Sequence, residues 1–274
     1  MINVVDRVPT YPNRIKLTKS NGTSEYVTWE RADEPTVAGT PINKALFDSI
    51  VADIGLSKHT TVYVSQAGSD ALGDGTAANP YATITKALST LPKNLNGYDA
   101  RLSIDSGTYA EDIEIARFGN GNIVLTGESG AAVSIKSLRV MYGATAVTEN
   151  IELTITGTYG NYGIAVTQAN LICLAAVILN GAANNSVYAS RNSFCMFATT
   201  LTINNSNQIG VHATSRSSVY IGTIQGANNK GTGIQSTNGS MVAFAVRNIT
   251  AAASFLTQNG GRIYTDSQTS TPNY

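Results

Sequence analysis

Four stretches, GIAVTQANLICL (163–174), SVYASRNSFCMF (186–197), GVHATSRSSVYI (210–221) and GIQSTNGSMVAF (233–244), align without a gap. A degenerate fifth, SFLTQNGGRIYT, begins at Ser254, so the copies start at a nearly constant interval, at Gly163, Ser186, Gly210, Gly233 and Ser254. The second and fourth residues of each copy form an inward pair: Ile164/Val166, Val187/Ala189, Val211/Ala213 and Ile234/Ser236. After a polar turn comes a second pair, Ile172/Leu174, Cys195/Phe197, Val219/Ile221 and Val242/Phe244. A third stretch carries Val177/Leu179 and Leu201/Ile203, then fades. Alternation at period two marks strands, and a fixed period without a helix between them marks coils that stack in register. The reading is an all-β parallel β-helix (β-solenoid), with roughly seven coils from about residue 100 to 265 and a length of about 35 Å at strand spacing. A leucine-rich repeat shares the period but needs Leu at most core columns, where this chain has Ile, Val and Phe.

Working outward from the repeat, short strands are predicted at 61–65, 100–104, 112–115, 122–125, 132–135 and 151–155, separated by Gly, Asn and Ser turns. Ile84, Ala87, Leu88 and Leu91 fall at helical spacing, which predicts one amphipathic helix over 81–91. Residues 1–56 form a separate piece with the only Trp, a strand pair at 14–18 and 25–29 around Ser20-Asn21-Gly22, and a helix over 43–54 opened by Thr40-Pro41. The expected organisation is an N-terminal segment 1–56, an opening strand, loop and helix at 57–99, and the solenoid with its tail at 100–274.

Charge is sparse and uneven. Only 13% of residues are charged, the net charge is zero, and of 18 carboxylates only Asp266 lies beyond Glu152. A balanced charge disfavours nucleic acid and anionic membrane surfaces as partners. No run reaches the length of a membrane span and the N-terminus lacks a secretory signal pattern, so no membrane insertion is expected and the chain is expected to be made in the cytoplasm. A glycosidase needs two positioned carboxylates, and the regular coils offer only Glu149 and Glu152, whose spacing of three predicts opposite faces.

The stretch Asp74-Gly75-Thr76-Ala77-Ala78-Asn79-Pro80-Tyr81-Ala82-Thr83-Ile84-Thr85-Lys86-Ala87-Leu88 resembles the loop and capping helix that precede the solenoid of right-handed parallel β-helix proteins of the pectin-lyase-like superfamily. Leu102-Ser103-Ile104-Asp105-Ser106-Gly107-Thr108-Tyr109 resembles the rung that follows. The opening Val5-Asp6-Arg7-Val8-Pro9-Thr10-Tyr11-Pro12, with Glu30–Pro35 and Gly39–Phe47, is similar to the N-termini of tail and tail-fibre proteins of phages and prophages of Gram-positive bacteria. Together these likenesses cover about residues 1–115. They imply a homotrimer in a virion tail, attached to other tail or baseplate proteins through residues 1–56 and facing a host-surface glycan. The expectation is a non-enzymatic receptor-binding component. A polysaccharide depolymerase with an intersubunit site and a purely structural tail spacer are the alternatives.

Each candidate residue has a plainer reading beside it. Asp99, Asp105, Glu111, Asp112 and Glu114 cluster near the helix; an enzyme would draw Asp105, Glu111 and Asp112 from them, and a solvated rim is the plainer reading. Asp70 and Asp74 lie in a Gly-rich loop where turn stabilisation explains them better than calcium, and His59 and His212 lack partner ligands, so neither a metal nor any cofactor is expected. The outward column Ala165, Tyr188, His212 and Gln235, with Arg191 and Asn192, is the candidate ligand-binding surface, against a reading as ordinary exposed surface. Cys173, Met196, Tyr220, Ala243 and Tyr264 form a mostly apolar outward column, predicted as a subunit interface, with cover by the C-terminal tail or a glycan platform as alternatives. Alternation sends Cys195 inward and Cys173 outward, which argues against a disulfide between them.

Overall fold

The computed structural model describes residues 14–18, 24–28, 55–158, 160–181, 185–265 and 268–269. The chain divides into two compact units, Met1–Ile54 and Gly55–Tyr274. In the first, β1 (Arg14–Thr18) and β2 (Ser24–Thr28) pair antiparallel, Arg14 opposite Thr28 and Thr18 opposite Ser24. The helix expected over 43–54 lies outside the described residues.

The second unit is an all-β parallel solenoid of about seven turns with almost no helix. Each coil runs through three faces. Face A holds Asp112–Ala116, Ser137–Met141, Tyr162–Thr167, Asn185–Ser190 and Ile209–Ala213, then 232–237 and 253–258. Face B begins at Thr60–Val64 and Asp99–Ile104, continues through 122–126, 145–149, Asn170–Cys173, 194–197, 218–221 and 241–244, and ends at Arg262–Thr265. Face C includes 131–135, 151–155, Val177–Asn180, 200–204 and 223–226. Ser137–Met141 is a face A strand that the sequence pattern did not disclose, and Asn122–Ile135 is a single strand bent between Thr126 and Ala131.

Stacking makes the core columnar. On face B one inward column reads Ala100, Ile123, Ala146, Leu171, Cys195, Val219, Val242 and Ile263, each buried and in register with the next. The next inward column runs Leu102, Leu125, Thr148, Cys173, Phe197, Ile221 and Phe244. Cys173 therefore points inward, contrary to the alternation expected from the gap-free alignment. Ile164 pairs with Val187, yet Asn170 pairs with Phe194, an offset greater by one, because the turn Gln168-Ala169 is one residue shorter than Arg191-Asn192-Ser193. A one-residue slip exchanges the two sides of a strand. The inward pair of that coil is Leu171/Cys173, and Ile172 takes the outward place. The expectation for Glu149 and Glu152 also changes. Asn150, at φ 55°, sits in the corner between faces B and C, so Glu149 lies outward on face B and the exposed Glu152 outward on face C.

The turns between faces A and B are held from within by serines. Ser193, Ser217 and Ser240 are buried one above another. The Ser193 N–H donates to Ser217 Oγ at 3.1 Å and the Ser217 N–H to Ser240 Oγ at 3.0 Å. Ser193 Oγ in turn accepts from Ala169 N–H and donates to the Ser190 carbonyl at 2.5 Å. Other backbone groups of these corners bond to the next coil, while the N–H groups of Ala169, Ser193 and Ser217 find their acceptor in these hydroxyls. At the other end of the last face B strand, Gln268–Thr269 returns antiparallel along Arg262–Thr265, with Tyr264 opposite Thr269.

The one helix described in this unit, α1 (Ile84–Ser89), starts where Thr83, in extended conformation, accepts from Lys86 N–H through its hydroxyl. Ile84, Ala87 and Leu88 are buried in the solenoid core cluster. Two carboxylates from elsewhere in the chain fix this start. Asp70 accepts from the N–H groups of Ala82 and Thr83 and from the Thr83 hydroxyl, and Glu111 accepts from Ile84 N–H at 3.0 Å and Thr85 N–H at 2.8 Å.

Candidate functional site

Register carries the middle residues of the face A strands into one outward column, Ala165, Tyr188, His212 and Gln235. An aromatic file forms along it. Tyr162, at the start of its strand, stacks on Tyr188 with ring centroids 4.5 Å apart and planes inclined by 17°, and Tyr188 meets His212 edge-on at 5.4 Å. Tyr162 was not singled out from sequence; it pairs with Asn185 and reaches Tyr188 diagonally across the rungs. Burial lowers the His212 pKa, so its ring is held towards the neutral form, with Nε2 3.3 Å from Thr237 Oγ1. Burial, and secondarily Tyr188, raises that of Tyr162.

A row of hydroxyls edges this file. Thr237 donates to Thr214 Oγ1 at 2.9 Å, Asn238 Nδ2 donates to the same oxygen at 3.1 Å, and the hydroxyls of Thr167 and Ser190 lie 3.2 Å apart. Arg191 stands exposed in the turn directly after Ser190, and Gln235 occupies the rung below His212. Half-covered rings beside a row of hydroxyls and amides suit a sugar, whose C–H face stacks on an aromatic ring while its hydroxyls exchange hydrogen bonds.

The outward column of face B holds Val124, Val147, Ile172, Met196, Tyr220, Ala243 and Tyr264. It contains four of the five residues expected there, and Ile172 replaces Cys173 for the register reason given above. Leu174, 45% exposed, flanks it, and Phe194 packs on Tyr220 at 5.6 Å. Because Ala243 lies between Tyr220 and Tyr264, the column opens into a groove of about 430 Å³, walled by Met196, Tyr220 and Tyr264.

The acidic residues near α1 are set against structural donors. Glu111 holds the first turn of the helix, Asp112 accepts from Ser137 Oγ at 2.8 Å, Glu114 is ion-paired to Arg139, and Asp99 accepts from Asn122 Nδ2 at 2.9 Å. Asp105 is exposed, and its carbonyl accepts from Tyr109 OH; burial, then the charges of Asp105 and Glu111, push that phenol up to about 12. Glu149 pairs with Arg101. Asp74 accepts from the Thr76 N–H and hydroxyl, and these bonds lower its pKa. Among the described residues no three His, Cys, Asp or Glu side chains converge as a metal site. Both thiols face the core; burial pushes Cys173 up to about 12 and raises Cys195 as well. No helix of the described residues is long and apolar enough to cross a membrane.

No protein-family model matches the chain, and neither a curated protein nor a solved structure matches it.

Proposed function

We propose that this protein is a non-enzymatic receptor-binding component of a phage or prophage tail, recognising a host-surface polysaccharide through face A. In this reading the solenoid is right-handed, α1 closes its N-terminal end, residues 1–56 attach it to other tail or baseplate proteins, and three copies pack along the apolar column of face B. The observation that carries the proposal is the file Tyr162–Tyr188–His212 with its edging of hydroxyls, which joins half-covered aromatic rings to a row of hydrogen-bonding groups on one surface. The structural partners of Glu111, Asp112, Glu114 and Glu149 favour binding over hydrolysis, since a carboxylate that holds backbone, a serine hydroxyl or an arginine is poorly placed to act as acid or base. Support for a virion location comes from the likeness of the N-terminal segment to tail proteins.

The test is attachment of the purified chain to intact Gram-positive cells, with reducing-end release measured in the same samples. Attachment that Tyr188→Ala abolishes, without sugar release, is the expected result. Sugar release lost in Glu111→Gln would replace this reading by a depolymerase, and no attachment to any cell wall by a spacer. A monomer in light scattering would remove the trimer from it.

A further inference from the structure

Every turn that leaves face A has a residue in the left-handed region, beginning with Arg117, Tyr142 with Gly143, and Gln168 in the first three coils. In the last two coils these positions belong to Asn238 and Gly239, then Asn259 and Gly260, residue types that enter that region at little cost. In the two coils above, arginines stand there beside Asn192 and Ser215, Arg191 at φ 57° and Arg216 at φ 62°. An ordinary side chain in this conformation crowds the following carbonyl and is held there only at a cost. The two are also neighbours: Asn192 N–H donates to Ser215 O at 3.0 Å, which sets Arg191 one rung and one residue from Arg216. Like charges on stacked strands repel, and both side chains are exposed with no carboxylate against either among the described residues. The local sequence has few to offer: from Leu153 onward there are five Lys or Arg and the single Asp266. These two turns thus set a pair of exposed like charges, with no carboxylate against either among the described residues, next to the aromatic file and its hydroxyls.

We propose that the ligand of face A is an anionic polysaccharide, whose carboxylate or phosphate groups are held by Arg191 and Arg216 while its sugar rings lie on Tyr188 and His212. This rests on the glycan-binding reading of face A and adds the charge of the ligand and the residues that read it.

The test compares dextran with carboxymethyl-dextran and phosphorylated dextran of matched length, by affinity electrophoresis at low salt. The charged polymers should be retained and unmodified dextran much less, with retention fading at high salt as the charges are screened. Whichever charged polymer is held more tightly identifies the anionic group. Arg191→Asn and Arg216→Asn place a residue suited to positive φ at each position, so these variants should melt at or above the wild-type temperature. Each should weaken retention of the charged polymer roughly two- to five-fold, as expected for an exposed ion pair. Arg262→Asn, on face B, is the control and should change little. Equal retention of neutral and charged dextran, no retention of either charged polymer, full retention by both arginine variants, or an equal loss in Arg262→Asn would each overturn the inference. Cell attachment that persists without charge preference would overturn it while leaving the glycan-binding reading in place, whereas loss of attachment altogether strikes that reading.

Discussion

The serine file at the A–B turns offers a quantitative test of what holds the coils in register. Ser217→Ala removes the acceptor of the Ser193 N–H, which lies 3.1 Å from the hydroxyl it would lose. Ser193 is 2% exposed and Ser217 fully buried, so water cannot easily replace that oxygen. Leaving a buried donor unpaired costs about 1–3 kcal/mol, and we take about 2. The solenoid unit runs from Gly55 to Tyr274. At about 2.1 cal/mol/K per residue, roughly 220 residues give an unfolding entropy of about 0.46 kcal/mol/K, so the variant should melt about 4 °C lower. Ser240→Ala, which orphans the Ser217 N–H in the same way, should lose a similar amount. Ser218→Ala, at a half-exposed outward position one residue along, should shift the midpoint by about 1 °C or less. The assay is thermal unfolding followed by circular dichroism. A Ser217→Ala midpoint that stays level with that of the Ser218→Ala control would show that these hydroxyls are passengers and refute the reasoning.

The packing fixes four further outcomes. Glu111→Ala removes the acceptor of two N–H groups at the start of α1 and should cost about 1–2 kcal/mol, read as faster hydrogen exchange at Ile84 and Thr85. Burial places the His212 pKa below its unfolded value near 6.5, so the unfolded chain takes up the proton first on acidification. Stability should be unaffected above that value and fall as pH drops below it, with His212→Gln flattening the dependence of the melting temperature between about pH 7.5 and 5.5. Neither Cys173 nor Cys195 should react with a thiol reagent in the native protein, both being buried with raised pKa values; rapid labelling of Cys173 would restore the outward placement. Gly226→Ala should be severely destabilising, because φ is 146° and the new Cβ would lie 1.7 Å from the Ile203 carbonyl oxygen; soluble yield and the melting temperature report it.

The solenoid was legible because its inward columns repeat at nearly constant spacing and no helix interrupts them. The helix was legible for a similar reason, since Ile84, Ala87 and Leu88 meet the core at helical period. The register of face B in the coil at 170–173 was not. Alternation assigns sides only when one side is polar, and here both Leu171/Cys173 and Ile172/Leu174 are apolar, so either phase satisfied the pattern. The structure settles the phase through the shorter turn at Gln168-Ala169. The register of the face A column was legible because its strands have no such slip between Ile164 and Ile234. Tyr162 escaped because its part in the file comes from diagonal stacking on the next coil, which no spacing within one strand displays. The serine file escaped because a single Ser per coil is inconspicuous in a chain already rich in Ser.

The short turn at Gln168-Ala169 also bears on how such a chain tolerates insertion and deletion. On its N-terminal side, face A is paired at the offset that sets Ile164 opposite Val187. On its C-terminal side, faces B and C are paired at an offset greater by one, with Asn170 opposite Phe194 and Val177 opposite Leu201. The discrepancy is absorbed within the corner and goes no further. Each face keeps its own count, so a residue gained or lost at an A–B corner leaves the three ladders intact. These corners are therefore the places to graft a foreign peptide, and they are the same corners at which Arg191 and Arg216 stand. A surface built on such corners can be re-lettered while the ladders beneath it keep their register.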